Sequence, residues 1–151
     1  MSAARNAAVG EETPSFDWPV RVYYEDTDAG GVVYHANYLR FLERARTEWL
    51  RALGFEQDHM AQEHGVIFAV RSVQIDYLRP ARFNDALLVR TRLAKAGRAS
   101  LDFLQQIHLD PVEHNAGVLS KAEIRVACLG VGNFRPQPLP RVMLEAFSLV
   151  R

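Results

Sequence analysis

The sequence predicts an α+β domain in which an antiparallel five-stranded sheet wraps around one long helix. Three observations carry that prediction. A stretch from about Asn37 to Leu53 has a wide apolar stripe at helical spacing. One strand-like segment precedes it, and four longer ones follow, separated by turn residues. A helix apolar over so wide a face must be buried, and an antiparallel sheet with one face inward supplies the surface.

The first strand is "WPVRVYYE", where Val20, Val22 and Tyr24 alternate with Arg21 and Tyr23. It delivers the chain into a turn, "EDTDAGG". In the helix that follows, Tyr38, Phe41, Leu42, Ala45, Trp49 and Leu53 recur at steps of three and four. Arg40 with Glu43, and Arg44 with Glu48, fall on the other side as solvated pairs. Gly54 is the expected stop. The next segment, "EQDHMAQEHG", reads either as a short helix or as a loop. The four remaining strands are "VIFAVRSVQIDYLRP", "DALLVRTRLAKAG", "ASLDFLQQIHLD" and "GVLSKAEIRVACLGV". Their breaks, "ARFND", "AGR" and "PVEHNAG", carry the Gly, Pro, Asn or Asp of turns. In sequence these four strands can form a meander. "NFRPQPLP" cannot continue a ladder because its prolines lack the donor, and a short helix is expected from about Arg141.

A chain of 151 residues, 48% of them hydrophobic, buries one core and is too short for two ordinary domains. Residues 16–151 therefore read as a single domain. Residues 1–15, small and polar without periodicity, read as a disordered tail. Eighteen basic residues balance eighteen acidic ones, which leaves no electrostatic footprint for nucleic acid or an anionic membrane. Lys95 and Lys121 are the only lysines, so the remaining basic residues are arginines. Arginine suits phosphate or carboxylate, although compositional bias explains the excess more simply. The lone Cys128 alternates with polar neighbours as a small buried hydrophobe, which leaves neither a disulfide framework nor a cysteine metal site. No apolar run approaches a transmembrane segment in length, and the N-terminus lacks a long apolar h-region. The chain reads as soluble and cytoplasmic.

The chemistry concentrates in Tyr23 to Tyr38, "YYEDTDAGGVVYHANY". Asp26, Asp28 and Gly31 open like a calcium loop, but its twelfth position would be Asn37, where a bidentate glutamate is required. His35 has no second histidine at ligand spacing, so no metal is expected. Gly30 and Gly31 allow unusual backbone conformations and close approach of a ligand. Just beyond them a helix begins near His35 to Asn37, where unpaired N–H groups and the positive end of the dipole gather. Such donors stabilise an oxyanion, and an aspartate folded over that terminus can attack a carbonyl or hold the attacking water. The same residues also serve as caps, Asp26 or Asp28 for a turn and His35 or Asn37 for the helix. Spacing alone leaves both readings open.

The run "WPVRVYYEDTDAGGVVYHANYLRFLERARTEWLRAL", Trp18 to Leu53, closely resembles the Tol-Pal-associated acyl-CoA thioesterases (YbgC type) of the 4-hydroxybenzoyl-CoA thioesterase branch of the hotdog superfamily. The likeness continues more loosely to about Arg141. It implies a hotdog fold, a curved sheet around a central helix, and at least a homodimer, with a homotetramer of two dimers expected. Subunits would share a continuous sheet with thioester sites at their interface. The substrate implied is an acyl-CoA, with aryl-CoA as a variant, and coenzyme A is then part of the substrate rather than a cofactor. In the implied site Asp28 is the catalytic carboxylate, the backbone N–H at about His35 is the oxyanion donor, and Gly30 and Gly31 shape the turn. His35 would orient water or the thioester, and Tyr24 would line the site. Either Glu25 or Asp26 would simply pair with arginines. Lys95 and Arg98, in the turn "AKAGRAS", would hold coenzyme A phosphates, although that turn is less basic than in the 4-hydroxybenzoyl-CoA enzymes. A carboxylate beside a helix N-terminus has its charged form stabilised, which favours a nucleophile or a water-positioning group over a strong general base. In a different class, the fold could act as a scaffold that binds acyl carrier protein or acyl-CoA without turnover.

Overall fold

The computed structural model describes residues 14–112 and 117–150. The predicted tail lies outside them except for Pro14 and Ser15, as does the middle of the "PVEHNAG" turn. The elements are β1 (Phe16–Arg21), α1 (Asn37–Ala52), α2 (Gln57–His64), β2 (Val66–Tyr77), β3 (Ala86–Ala96), β4 (Ser100–Leu109), β5 (Val118–Gly130) and α3 (Arg141–Ser148). The five strands form one antiparallel sheet in the order β1-β3-β4-β5-β2. With α1 on its inner face this is the hotdog arrangement expected above.

The four-strand meander is not what forms. Only β3, β4 and β5 follow one another, while β2 leaves by residues 78–85 and pairs with the far side of β5. The first strand is also displaced. It begins at Phe16 and ends at Arg21, because Tyr24–Asp26 close a single 3-10 turn instead of continuing the ladder. Pro19 is tolerated because β1 is an edge. The ambiguous segment is a helix, α2, and in α1 the capping position is Leu53, with Gly54 following at φ +98°.

Tyr38, Phe41, Leu42, Ala45, Trp49 and Leu50 bury the inner face of α1 against Leu87, Val89, Leu93, Phe103, Ile107 and Ile124 of the sheet. Each large side chain so buried contributes about 1.5–3 kcal/mol. A polar clamp fixes the helix on this surface. Gln105 donates to the Leu42 carbonyl at 3.1 Å and to the Thr91 hydroxyl at 2.9 Å, and accepts from Arg46 at 3.0 Å. Burial pulls the Arg46 guanidinium down to about 10. On the exposed side Glu48 pairs with Arg51 rather than Arg44, and Arg51 also reaches Glu56. Cys128 is fully buried, and burial pushes its thiol up to about 11.

The ladder between β2 and β5 shifts between Val70 and Ser72, so Arg71 forms a bulge. A bulge moves every later side chain to the other face. Val73, Ile75 and Tyr77 consequently share the inner face with Phe68 and Val70, opposite Ile124, Ala122 and Ser120 of β5. β2 lies beyond the edge of α1, so Val70, Val73 and Tyr77 remain exposed.

Candidate active site

The segment Val22 to Asn37 folds back on itself and is tied to the loop that follows β2. Thr27 bridges Val33, Val32 bridges Arg82, and the Val33 N–H bonds the Ala81 carbonyl at 2.8 Å. Val22 N–H donates to Asp85 and Asn84 N–H donates to Val22. These pairings hold the turn over the N-terminus of α1.

The two aspartates have different environments. Asp26 is buried, and it pairs with no arginine, contrary to the expectation from sequence. One of its oxygens accepts the Tyr23 N–H at 2.8 Å and the other the Asn37 amide at 2.8 Å, joining the turn to the first residue of the helix. Asp28 is exposed. Its Oδ1 accepts the Gly30 N–H at 2.8 Å, while its backbone closes the turn through Val32 and Gly31. Gly31 has φ +81°, a conformation that favours glycine. A Cβ on Gly30 would stand 3.2 Å from the Asp28 carboxylate. Both glycines are therefore needed to present Asp28 as it stands.

Helix α1 begins without a side-chain cap, at Ala36 in the αR region. Asn37 donates its N–H to Tyr34 at 2.8 Å, and Tyr34 N–H donates to Asp26 at 2.9 Å. Among the described residues the intervening N–H groups of His35 and Ala36 have no acceptor. Beside them opens a cleft of about 280 Å³ lined by Val33, His35, Tyr38, Tyr77, Leu78, Arg79 and Pro80. Asp28 stands on the adjoining turn and is not part of that lining. The cleft is mainly apolar, and burial holds the phenols of Tyr38 and Tyr77 above their ordinary pKa.

His35 is exposed, with its ring 4.7 Å from that of Tyr34. Tyr24 lies flat on Phe83, with centroids 3.8 Å apart and planes within 7°. Lys95 and Arg98 lie elsewhere. The Asp28 loop is tied to the residues just before β3, whereas Lys95 is the penultimate residue of that strand and Arg98 lies in the turn after it, so at about 3.3 Å per residue they are roughly 30 Å apart within one protomer. Tyr77, Tyr38 and Phe83 were not singled out from sequence. Tyr38 reads as helix stripe, and the signal for Tyr77 is its alternation with Val73 and Ile75, whose parity differs from that of Val66, Phe68 and Val70. Among the described residues no group of three or more His, Cys, Asp or Glu is placed to hold a metal ion, and no helix is long and apolar enough to cross a membrane.

Residues 22–147 match the thioesterase-like superfamily. The chain is 46% identical to the acyl-CoA thioesterase YbgC of Haemophilus influenzae over 132 residues, covering 87% of this chain and 93% of that protein. It is 44% identical to the acyl-CoA thioester hydrolase YbgC of Escherichia coli O157:H7, covering 90% of this chain and 98% of that one. Among solved structures, a probable thioesterase from Bartonella henselae superposes with a TM-score of 0.76 at 35% identity, covering 84% of this chain and 100% of that one.

Proposed function

We propose that this chain, which belongs to the thioesterase-like superfamily, hydrolyses an acyl-CoA thioester to a free carboxylic acid and coenzyme A, with Asp28 as its carboxylate. The observation that carries the reading is the pair of N–H groups on His35 and Ala36, left without acceptors beside an apolar cleft and next to the turn that presents Asp28. Donors of this kind stabilise charge that develops on a carbonyl oxygen, and losing one typically costs about 10²–10³ in rate. The acyl chain lies in the apolar cleft and the thioester oxygen meets the N–H pair. Water adds to the carbonyl carbon as Asp28 takes its proton. Collapse of the tetrahedral intermediate breaks the C–S bond, and the proton passes to the departing thiolate. In the alternative route Asp28 itself attacks, expels the thiolate and forms an anhydride that water opens. Single turnover in H₂¹⁸O tests the anhydride route, since label enters the Asp28 carboxylate only if an anhydride forms and water opens it at the aspartyl carbon.

The site is completed by a second copy of the chain. The β2 edge is long, and its exposed Val70, Val73 and Tyr77 form the kind of unprotected strand that pairs with another. Two-fold antiparallel pairing sets the Tyr77 end of one β2 beside the Val66 end of its partner. That end adjoins the β3–β4 turn, because Cys128, opposite Phe68, donates its N–H to the Ala99 carbonyl. Lys95 and Arg98 of the second copy then approach the nucleotide of a substrate bound at the Asp28 loop.

A free-thiol assay with acetyl, longer acyl and aryl CoA esters, on wild type and Asp28→Asn, tests this reading. The expected result is turnover by wild type and a loss of about 10²–10⁴ in the folded variant. Equal rates in both proteins, or none in either, would return Asp28 to a turn residue and favour a binding scaffold.

A further inference from the structure

The first turn of α1 is closed by bonds to the third residue back: Asn37 N–H to Tyr34 at 2.8 Å, Tyr38 N–H to His35 at 3.4 Å and Leu39 N–H to Ala36 at 3.2 Å. The His35 carbonyl thus receives only a long bond from the backbone. Its short bond, 2.9 Å, comes from the hydroxyl of Tyr77 on β2, 42 residues along the chain. A peptide is planar and trans, so whatever fixes the His35 carbonyl also fixes the Ala36 N–H on the opposite side of the same plane. The preceding plane is held by the Asn37 bond to Tyr34.

We propose that Tyr77 is a positioning residue whose hydroxyl locks the His35–Ala36 peptide, so that the Ala36 N–H stands beside the His35 N–H as a second donor to the thioester oxyanion. The proposal rests on the hydrolase reading above. Tyr77 is well placed for this role. The bulge at Arg71 turns its ring to the inner face, where it meets Tyr38 edge-on at 5.2 Å and His35 edge-on at 6.3 Å. Those ring contacts survive removal of the hydroxyl, so Tyr77→Phe isolates the one bond. The raised pKa of the phenol keeps it protonated, as a donor must be.

The test compares wild type, Tyr77→Phe and Asp28→Asn for kcat and KM on an acyl-CoA ester, and follows the Ala36 amide in ¹H–¹⁵N spectra of wild type and Tyr77→Phe. Loss of one such bond predicts a fall of about tenfold in kcat. KM should stay within about twofold, the assembly should be unchanged by sedimentation, and the Ala36 resonance should move. Full kcat in Tyr77→Phe, in an enzyme that loses activity with Asp28→Asn, would overturn the role of Tyr77 and leave the hydrolase intact. An Ala36 amide that does not move overturns the locking whatever the kinetics. A wild type inactive on every ester removes the hydrolase reading and this proposal with it.

Discussion

The side-chain amide of Asn37 donates to the carboxylate of Asp26 across 2.8 Å, and both residues are buried. This bond connects the loop that carries Asp28 to the first residue of the helix whose N-terminus faces the cleft. Removing the amide leaves one Asp26 oxygen buried without its partner, which costs about 1–3 kcal/mol. Asn37→Ala should lower the urea midpoint accordingly. Asp26→Ala should cost more, since it also frees the Tyr23 N–H.

The two glycines separate stability from chemistry. Gly31→Ala forces a Cβ into a backbone at φ +81°, which costs about 1–2 kcal/mol and should show in thermal unfolding. Gly30→Ala places a methyl 3.2 Å from the Asp28 carboxylate, so it should lower kcat by more than it lowers stability. Measuring kcat and melting temperature on both variants checks the contrast.

His108 should make the fold sensitive to acid. Burial holds its imidazole below the ordinary pKa, Arg90 adds to the depression, and Asp17, facing it from β1, opposes it. Arg92 and Lys121 act in the same sense as Arg90. The unfolded chain takes up a proton near pH 6.5 that the folded chain resists, so stability present above that pH is lost as the pH falls through the folded value. Urea titrations between pH 7 and 5 should show a shallower acid limb in His108→Leu than in wild type.

Phe147 closes the end of the core away from the site. It is fully buried, stacked 5.3 Å from Trp49 and edge-on to Phe55 at 6.1 Å. Phe147→Ala should destabilise by about 3–5 kcal/mol while leaving KM near wild type in whatever fraction stays folded. Denaturant unfolding and steady-state kinetics together test this.

Assembly should depend on the β2 edge. Val73 is 40% exposed on the inner face of the edge strand. In a two-fold interface Val73→Glu places two like charges in an apolar seam. Sedimentation at micromolar concentration should show wild type as a dimer or larger and the variant shifted toward monomer, with activity lost in parallel. A wild-type monomer that is fully active would contradict a shared site.

What the sequence determined by itself was local. The stripe from Tyr38 to Trp49 specified a helix and its buried face, and alternation with turn residues located four of the five strands nearly to their ends, because periodicity and turn chemistry act over a few residues. It also marked the segment from Tyr23 to Tyr38 as unusual. Tertiary structure decided which groups meet. Strand order was not legible, since β2 and β3 are consecutive in sequence yet lie at different places in the sheet, and a crossover is set by competition among distant edges. The separate environments of Asp26 and Asp28 were not legible either, because one finds the Asn37 amide across the folded loop and the other faces solvent. The position of Tyr77 depended on a single unpaired residue. Arg71 has no opposite number in β5, and that one-residue slip reverses the facing of every side chain after it. The apolar alternation Val66, Phe68, Val70 and then Val73, Ile75, Tyr77 changes parity at the same point, but only the pairing shows which face the second half takes.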